Sequence, residues 1–146
     1  CALDGAREIT IFNKKDGFWD RTLETAEKIR AAVPGIVVNV YDIDDVACMT
    51  AEIQSADILA NATIVGMKPN LEDVSVVKDL SAVRPGLVGA DAVYNPEETR
   101  MLREAKAAGC ICVGGKGMLL WQGVSAFRLF TGKEMPAEEV KEKFYS

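Results

Sequence analysis

The sequence predicts a doubly wound α/β fold with a mainly parallel sheet and helices on both faces, on three observations. Short β-branched or apolar runs alternate with segments of helical periodicity along the chain. One of these runs, Ile36-Val37-Val38-Asn39-Val40-Tyr41, is nearly all apolar, as in a parallel strand covered on both faces. The links are short, and no repeat, low-complexity stretch or linker rich in Pro, Gly or Ser breaks the alternation. Right-handed βαβ crossovers then give one compact α/β unit.

Each element has its own signal. Ile9-Thr10-Ile11-Phe12 is a β-branched and aromatic run between Asp4-Gly5 and polar residues, which marks a strand. Phe18, Trp19, Leu23, Ala26, Ile29, Ala32 and Val33 recur at helical spacing, with Asp16-Gly17 as start and Pro34-Gly35 as stop. The apolar run at 36–41 is the next strand. Residues 46–53 read as a short helix, and Ala56-Asp57-Ile58-Leu59-Ala60 as a strand ending at Asn61. Residues 80–86 are a turn, and the strand at 87–94 is cut off by Asn95-Pro96. Residues 97–108 form a helix with Met101, Leu102, Ala105 and Ala108 inward and Gly109 as its cap. Cys110-Ile111-Cys112-Val113 is the last strand, and the tail from Met118 to Ser146 holds two helices divided near Gly132 and Pro136.

Composition excludes several kinds of chemistry. The 146 residues suit about one domain, with 49% hydrophobic and 27% charged residues, enough for a core and for solubility. A net charge of −5 argues against a polyanion-binding surface, so no nucleic-acid partner is expected. No apolar run approaches the ~18 residues of a transmembrane helix and no secretory signal is visible, so no membrane partner is expected and a cytoplasmic location is. With no histidine, neither a Ser-His-Asp triad nor a His-ligated metal site can be assembled within the chain. Cys110 and Cys112 share a strand face, but no second cysteine pair completes a four-ligand site, and no metal is expected. Reduced, buried cysteines acting as small hydrophobes fit better. Trp19, Trp121, Phe127 and Phe130 are spaced for helix faces and read as core or interdomain packing, and residues 133–143 as a solvated amphipathic helix. The chain begins at Cys1, within what reads as a helix end, as an excised piece of a longer protein would.

In an open parallel sheet, ligands bind beyond the carboxyl ends of the strands. Those ends are Asn13-Lys14-Lys15-Asp16, Tyr41-Asp42-Ile43-Asp44, the loop at 61–67, Tyr94-Asn95-Pro96 and Gly114-Gly115-Lys116-Gly117. In a dinucleotide-binding fold, the polar group that meets the adenosine ribose lies about 20 residues beyond the glycine fingerprint. Counting back from Asp16 by that distance lands before Cys1. The chain then reads as a Rossmann-like fold lacking its first strand and glycine-rich loop, and Asp16 could accept bonds from ribose hydroxyls while Lys14 and Lys15 face a 2′-phosphate. A solvated charge cluster fits the same residues. Asn61-Ala62-Thr63 could let a flat ring approach backbone, or form a simple Asx turn. The glycines at 114, 115 and 117 allow close backbone approach or positive φ, but match neither G-x-G-x-x-G nor a P-loop.

Taken together, several motifs resemble the shikimate/quinate dehydrogenase family. They are Asn61-Ala62-Thr63 with Gly66-Met67, Val93-Tyr94-Asn95-Pro96 with Thr99, Gly117-Met118-Leu119-Leu120-x-Gln122-Gly123, and Phe130-Thr131-Gly132. The match covers essentially the whole chain and keeps motif order and spacing, which no single motif could establish. The resemblance implies the carboxy-terminal NAD(P)-binding domain of such an enzyme (residues 1–146, partial), with the helices of residues 118–146 packing toward an amino-terminal substrate domain. It implies reversible reduction of 3-dehydroshikimate to shikimate, or of 3-dehydroquinate, with NAD and/or NADP, in aromatic amino acid biosynthesis. By motif, Asn13, Lys14, Lys15 and Asp16 surround the adenosine ribose. Thr63, Ile64, Ala92, Val93, Tyr94, Asn95 and Gly115 line the diphosphate and nicotinamide side. Met118 sits against the nicotinamide, while Tyr94 and Gln122 reach the substrate. The family's catalytic Lys and Asp lie in the substrate domain and have no counterpart here, so the chain alone is expected to be inactive.

The chain departs from the family pattern at the ribose loop. Strict NADP-dependent members carry Asn-Arg-Thr where this chain has Asn13-Lys14-Lys15-Asp16. A carboxylate repels a 2′-phosphate, and Lys is a weaker planar phosphate clamp than Arg, which favours NAD or dual use. Trp121 and Phe130-Thr131-Gly132-Lys133 are also similar to the quinate/shikimate branch. A sheet edge opened by the missing strand predicts self-association, for which a homodimer is one form. The competing reading is a stand-alone, non-catalytic nucleotide-binding or interaction module.

Overall fold

The structure, a computed structural model, describes residues 1–69 and 71–144; Tyr145 and Ser146, placed in the tail above, lie outside the described residues. They divide into two units, the first ending at Ser55 and the second beginning at Ala56. The parallel α/β order read from sequence is present in both.

In the first unit, β1 (Glu8–Asn13) pairs in parallel with β2 (Val37–Asp42), joined by α1 (Trp19–Ala32). The register sets Phe12 opposite Tyr41 and Asn13 opposite Asp42, so both strands end level. The Phe12 and Tyr41 rings lie 5.7 Å apart, within the range for favourable aromatic pairs. Helix α1 packs on β2: Ala26 is buried, and the Arg30 guanidinium donates to the Val38 carbonyl. Gly35 turns the chain at φ +88°, a conformation that favours glycine. Helix α2 (Val46–Ser55) buries Met49 and Ile53.

β2 is less enclosed than its apolar sequence suggests. Val38 is buried, but Val37 is 49% exposed and the remaining residues are half-buried. A two-stranded sheet gives its strands fewer neighbours than a strand in mid-sheet would have. Along α1, Leu23 and Phe18 are likewise exposed although their periodicity is helical.

In the second unit, β3 (Ile58–Asn61), β4 (Val88–Asp91) and β5 (Ile111–Val113) form a parallel sheet in that order. Helix α3 (Arg100–Ala107) packs on β4 and β5 through Met101, Leu102 and Ala105, and Ala108 is half-buried just past its end. Burying each of the two larger side chains is worth ~1.5–3 kcal/mol. Thr99 caps α3 with its hydroxyl, and Gly109 leaves the helix at φ +82°. Leu87, Val93 and Leu120 complete this core. A single 3₁₀ turn (Leu80–Ala82) interrupts the turn segment before β4.

Four expectations are corrected here. The strand read at 87–94 ends at Asp91, because the Asp91 side chain takes the Val93 N–H out of the ladder. The glycine cluster at 114–117 is not a loop: α4 (Gly115–Thr131) starts within it, and none of its glycines has positive φ. Trp121, Phe127 and Phe130, read as core or interdomain packing, are 56%, 37% and 86% exposed and so lie outside the core of this unit, along a helix that buries Leu120 and also packs on α5 (Ala137–Phe144). The tail does divide where Gly132 (φ +68°) and Pro136 were read as breaks. The cysteines are free, but Cys1 and Cys112 are exposed and Cys48 and Cys110 half-buried rather than buried.

Strand pairing falls in two sheets, β1-β2 and β3-β4-β5. Among the described residues, β1 and β3 each pair along one edge only. No helix among the described residues is long and apolar enough to cross a membrane.

Candidate functional site

The residues singled out above sit at the carboxyl ends of β1, β3, β4 and β5, where parallel sheets present ligand loops, except Met118 and Gln122, which lie within the helix after β5. Asn13, Lys14, Lys15 and Asp16 belong to the first unit; Thr63, Ile64, Ala92, Val93, Tyr94, Asn95, Gly115, Met118 and Gln122 belong to the second.

At the end of β1 the chain turns tightly. The Asn13 side-chain amide donates to the Thr22 hydroxyl at 2.6 Å and its Oδ1 accepts from the Lys14 N–H, which fixes the loop against α1. Asp16 Oδ1 accepts from the Phe18 N–H at 2.8 Å, so one carboxylate oxygen holds the entry to α1. The Lys15 ammonium lies 5.7 Å from the centre of the Trp19 ring. Lys14, Lys15 and Asp16 are all exposed, two cations and a carboxylate at the end of β1.

The loops after β3 and β4 are built from one buried polar cluster. Asn61, Asp91 and Thr99 are 4%, 5% and 0% exposed. Asn61 Oδ1 accepts from both the N–H and the hydroxyl of Thr63, the Asx turn that its sequence allowed. The Thr63 hydroxyl in turn accepts from the Val65 N–H. Asn61 Nδ2 donates to the Val65 carbonyl and to Asp91 Oδ1, while the Thr99 hydroxyl donates to Asp91 Oδ2 at 2.6 Å. The next loop is tied in by the Lys68 N–H, which donates to the Asn95 carbonyl at 3.0 Å. Ile64 and Tyr94 stand 65% and 43% exposed above this polar floor, as apolar groups available to a flat ring.

Gly115 explains the glycines after β5. A Cβ there would lie 2.5 Å from the carbonyl oxygens of both Ala92 and Val93. Only glycine lets the first turn of α4 sit against the β4 loop, and this contact brings the α4 amino terminus beside residues 92–95. Met118 and Gln122, four residues apart, share one face of α4. Lys116 is anchored by Glu97 at 2.8 Å. Gly117, by contrast, has nothing within 4 Å of its Cβ position.

The structure thus brings Thr63, Val93 and Gly115 together through Asn61, Asp91 and the Ala92 and Val93 carbonyls. Sequence reading missed Asp91 as the centre of this cluster. Its signal was a lone acidic residue inside the apolar run at 87–94. Cys112 lies apart from the site on β5, beside Lys106 and Glu98, and burial with the neighbouring Cys110 pushes its thiol up. Among the described residues no three potential metal ligands cluster.

Within the first unit, exposed charged and polar groups at the end of β1 suit a ribose; within the second, small or apolar groups at the ends of β3 and β4 suit a flat ring. The 146 residues contain no G-x-G-x-x-G loop.

Comparison with known proteins agrees with the motifs. The family model described as the Shikimate 5′-dehydrogenase C-terminal domain matches residues 115–143. A quinate/shikimate dehydrogenase of Escherichia coli O139:H28 is 45% identical over 141 residues, 97% of this chain and 48% of that protein. The crystal structure of shikimate 5-dehydrogenase from Listeria monocytogenes, in complex with shikimate and NAD, superposes with a TM-score of 0.89 at 42% identity, over 97% of this chain and 48% of that one. Quinate dehydrogenase from Corynebacterium glutamicum, in complex with NAD, gives a TM-score of 0.75 at 27% identity, over 99% of this chain and 57% of that one. The chain spans about half the length of the curated relatives it matches.

Proposed function

We propose that this chain, a relative of the shikimate and quinate dehydrogenases in both sequence and fold, holds the nicotinamide cofactor of such an enzyme. The reaction is reversible hydride transfer between NAD and/or NADP and shikimate or quinate, in aromatic amino acid biosynthesis. The observation that carries this reading is the contact of Gly115 with the Ala92 and Val93 carbonyls, which sets the start of α4 beside the loop after β4 at the strand ends.

The bound nicotinamide supplies the hydride acceptor or donor. The chain's own work is placement, and orientation of reacting groups accounts for a large share of such barriers. Thr63, Ile64, Ala92, Val93, Asn95 and Gly115 form the floor on the nicotinamide side, with Met118 against the ring. Tyr94 and Gln122 reach the substrate. Asn13, Lys14, Lys15 and Asp16 receive the adenosine ribose, with Asp16 accepting from its hydroxyls and the two lysines drawing a 2′-phosphate. Asp16 and the lysines pull in opposite directions, which favours NAD while leaving NADP accessible.

The proton that accompanies the hydride is handled outside these 146 residues, by a Lys and an Asp of a substrate domain. The half-length match to the curated relatives supports this division, and the exposed apolar residues of α4 support packing of the final helices toward that domain. The edges of β1 and β3 left unpaired among the described residues favour the missing first strand of this fold, or self-association as a homodimer. A cytoplasmic location accords with these features.

The experiment is direct. The full-length gene product, assayed with shikimate and with quinate against both cofactors, is expected to reduce NAD at the expense of at least one substrate. Residues 1–146 purified alone are expected to show no turnover. A folded full-length protein inactive with every pair, or an active isolated chain, overturns the reading.

A further inference from the structure

We propose that Asp91 is a positioning residue that locks the loop after β3 to the loop after β4, so that the groups of both act on one bound ligand in a single arrangement; this rests on the function proposed above. Asp91 ends β4, opposite Asn61 at the end of β3. The parallel ladder already fixes the two strands, its last bond running from the Ala92 N–H to the Asn61 carbonyl at 2.9 Å. The Asp91 side chain acts beyond that point.

Its two oxygens accept three hydrogen bonds, each from a different segment. Oδ1 accepts from Asn61 Nδ2 at 3.0 Å and from the Val93 N–H at 2.9 Å, and Oδ2 accepts from the Thr99 hydroxyl at 2.6 Å. Through Asn61 it reaches Thr63 and Val65. Through Val93 it shapes the backbone that carries Tyr94 and Asn95. Through Thr99 it holds the start of α3, and the Thr99 methyl carbon lies 3.1 Å from where a Cβ on Gly66 would stand. The loop after β3 and the loop after β4 therefore share one acceptor and one packing contact.

A carboxyl group 5% exposed is costly to bury, and replacing such groups with apolar ones is often neutral or stabilising. Strand pairing does not require it. Its use is the fixed spacing of two ligand-facing loops, where a misplacement of about 1 Å can cost a hundredfold in rate.

The test uses the full-length gene product. Asp91→Asn keeps the size of the side chain but turns one acceptor into a donor facing the Thr99 hydroxyl. Thr99→Val removes that hydroxyl, and Thr99→Ser keeps it. Leu87→Val, in the same core and away from the loops, is the stability control. Asp91→Asn and Thr99→Val are expected to lower kcat/KM for the cofactor by between about tenfold and a hundredfold. Thr99→Ser is expected to stay near wild type, and Leu87→Val to lower Tm without changing kcat. If Asp91→Asn and Thr99→Val lower Tm and leave kcat and the cofactor KM unchanged, Asp91 is a structural group only and the proposal falls.

Amide hydrogen exchange separates this outcome from failure of the proposed function. Should the wild type turn over no substrate, that function is refuted, and exchange then decides the role of Asp91. Acceleration in Asp91→Asn at Thr63, Val65 and Val93 together supports the locking of the two loops. Acceleration at Val93 alone overturns it.

Discussion

Gly115→Ala puts the central contact of the site under the most exact strain. The added Cβ would lie 2.5 Å from the Ala92 and Val93 carbonyl oxygens, and ordinary contact begins near 3.4 Å. The first turn of α4 and the β4 loop must therefore separate by about 0.9 Å. Overpacking of this kind costs ~1–3 kcal/mol, while replacing a helical glycine returns up to ~1 kcal/mol. Net destabilisation on the order of 1 kcal/mol lowers Tm by ~2–4 °C in a chain of this size. The separation falls on residues 92–95, so kcat/KM is expected to drop by as much as ~10²-fold. Gly117→Ala, two residues along the same helix with open space at its Cβ position, should instead raise Tm, because only the propensity gain of ~1 kcal/mol remains. Thermal unfolding and steady-state kinetics of the two variants in the full-length protein check this. If Gly115→Ala is as stable as Gly117→Ala and keeps its activity, the carbonyl contact does not set the site.

Asp16→Ala is expected to weaken NAD relative to NADP, because it removes the carboxylate that serves ribose hydroxyls and leaves Lys14 and Lys15 in place; cofactor KM ratios read this, and an unchanged ratio removes Asp16 from the ribose. Thr99→Val takes away the α3 cap and a buried bond to Asp91. A lost cap costs ~0.5–2 kcal/mol, and an orphaned buried acceptor ~1–3 kcal/mol, so denaturant unfolding should show a loss near the top of the first range or above it. For Cys48 and Cys112, burial comes first in pushing both thiols up, joined by Asp45 and Glu52 at Cys48 and by Cys110 at Cys112. Their alkylation should rise with pH at midpoints above the usual thiol value of about 8.5. Since the folded state favours the protonated thiol, the stability linked to these groups is full below that value and lost as pH rises through the raised folded pKa. Midpoints at or below the usual value would contradict this direction of shift.

Much of the fold is legible in residue order alone. The run at 9–12, the periodicity from Trp19 to Ala32 and the stop at Pro34-Gly35 give β1 and α1, because local spacing and turn chemistry decide them. Gly109 likewise ends α3, whereas the start read at Glu97 falls at Arg100, after the Thr99 cap. What depends on side chains meeting across the chain is not legible in this way. The Asp91 side chain that ends β4 at the Val93 N–H is itself held by Asn61 and Thr99, residues 30 and 8 positions away. The glycines at 114–117 have ordinary negative φ, and the reason for Gly115 is a close approach to carbonyls more than twenty residues earlier. At the site, motif spacing gave the residues, while the polar floor beneath them, centred on Asp91, required the fold. The exposure of Trp121 and Phe130 shows the opposite limit: helical periodicity gives a face, and says nothing of what covers it.

The most direct measurement is a crystal structure of the full-length gene product with NAD bound. The adenosine ribose is expected against Asn13, Lys14, Lys15 and Asp16, and the nicotinamide against Met118 beside Thr63, Val93 and Gly115. A dinucleotide bound elsewhere, or with its ribose away from Asp16 and its nicotinamide away from Met118, would contradict the proposed cofactor site.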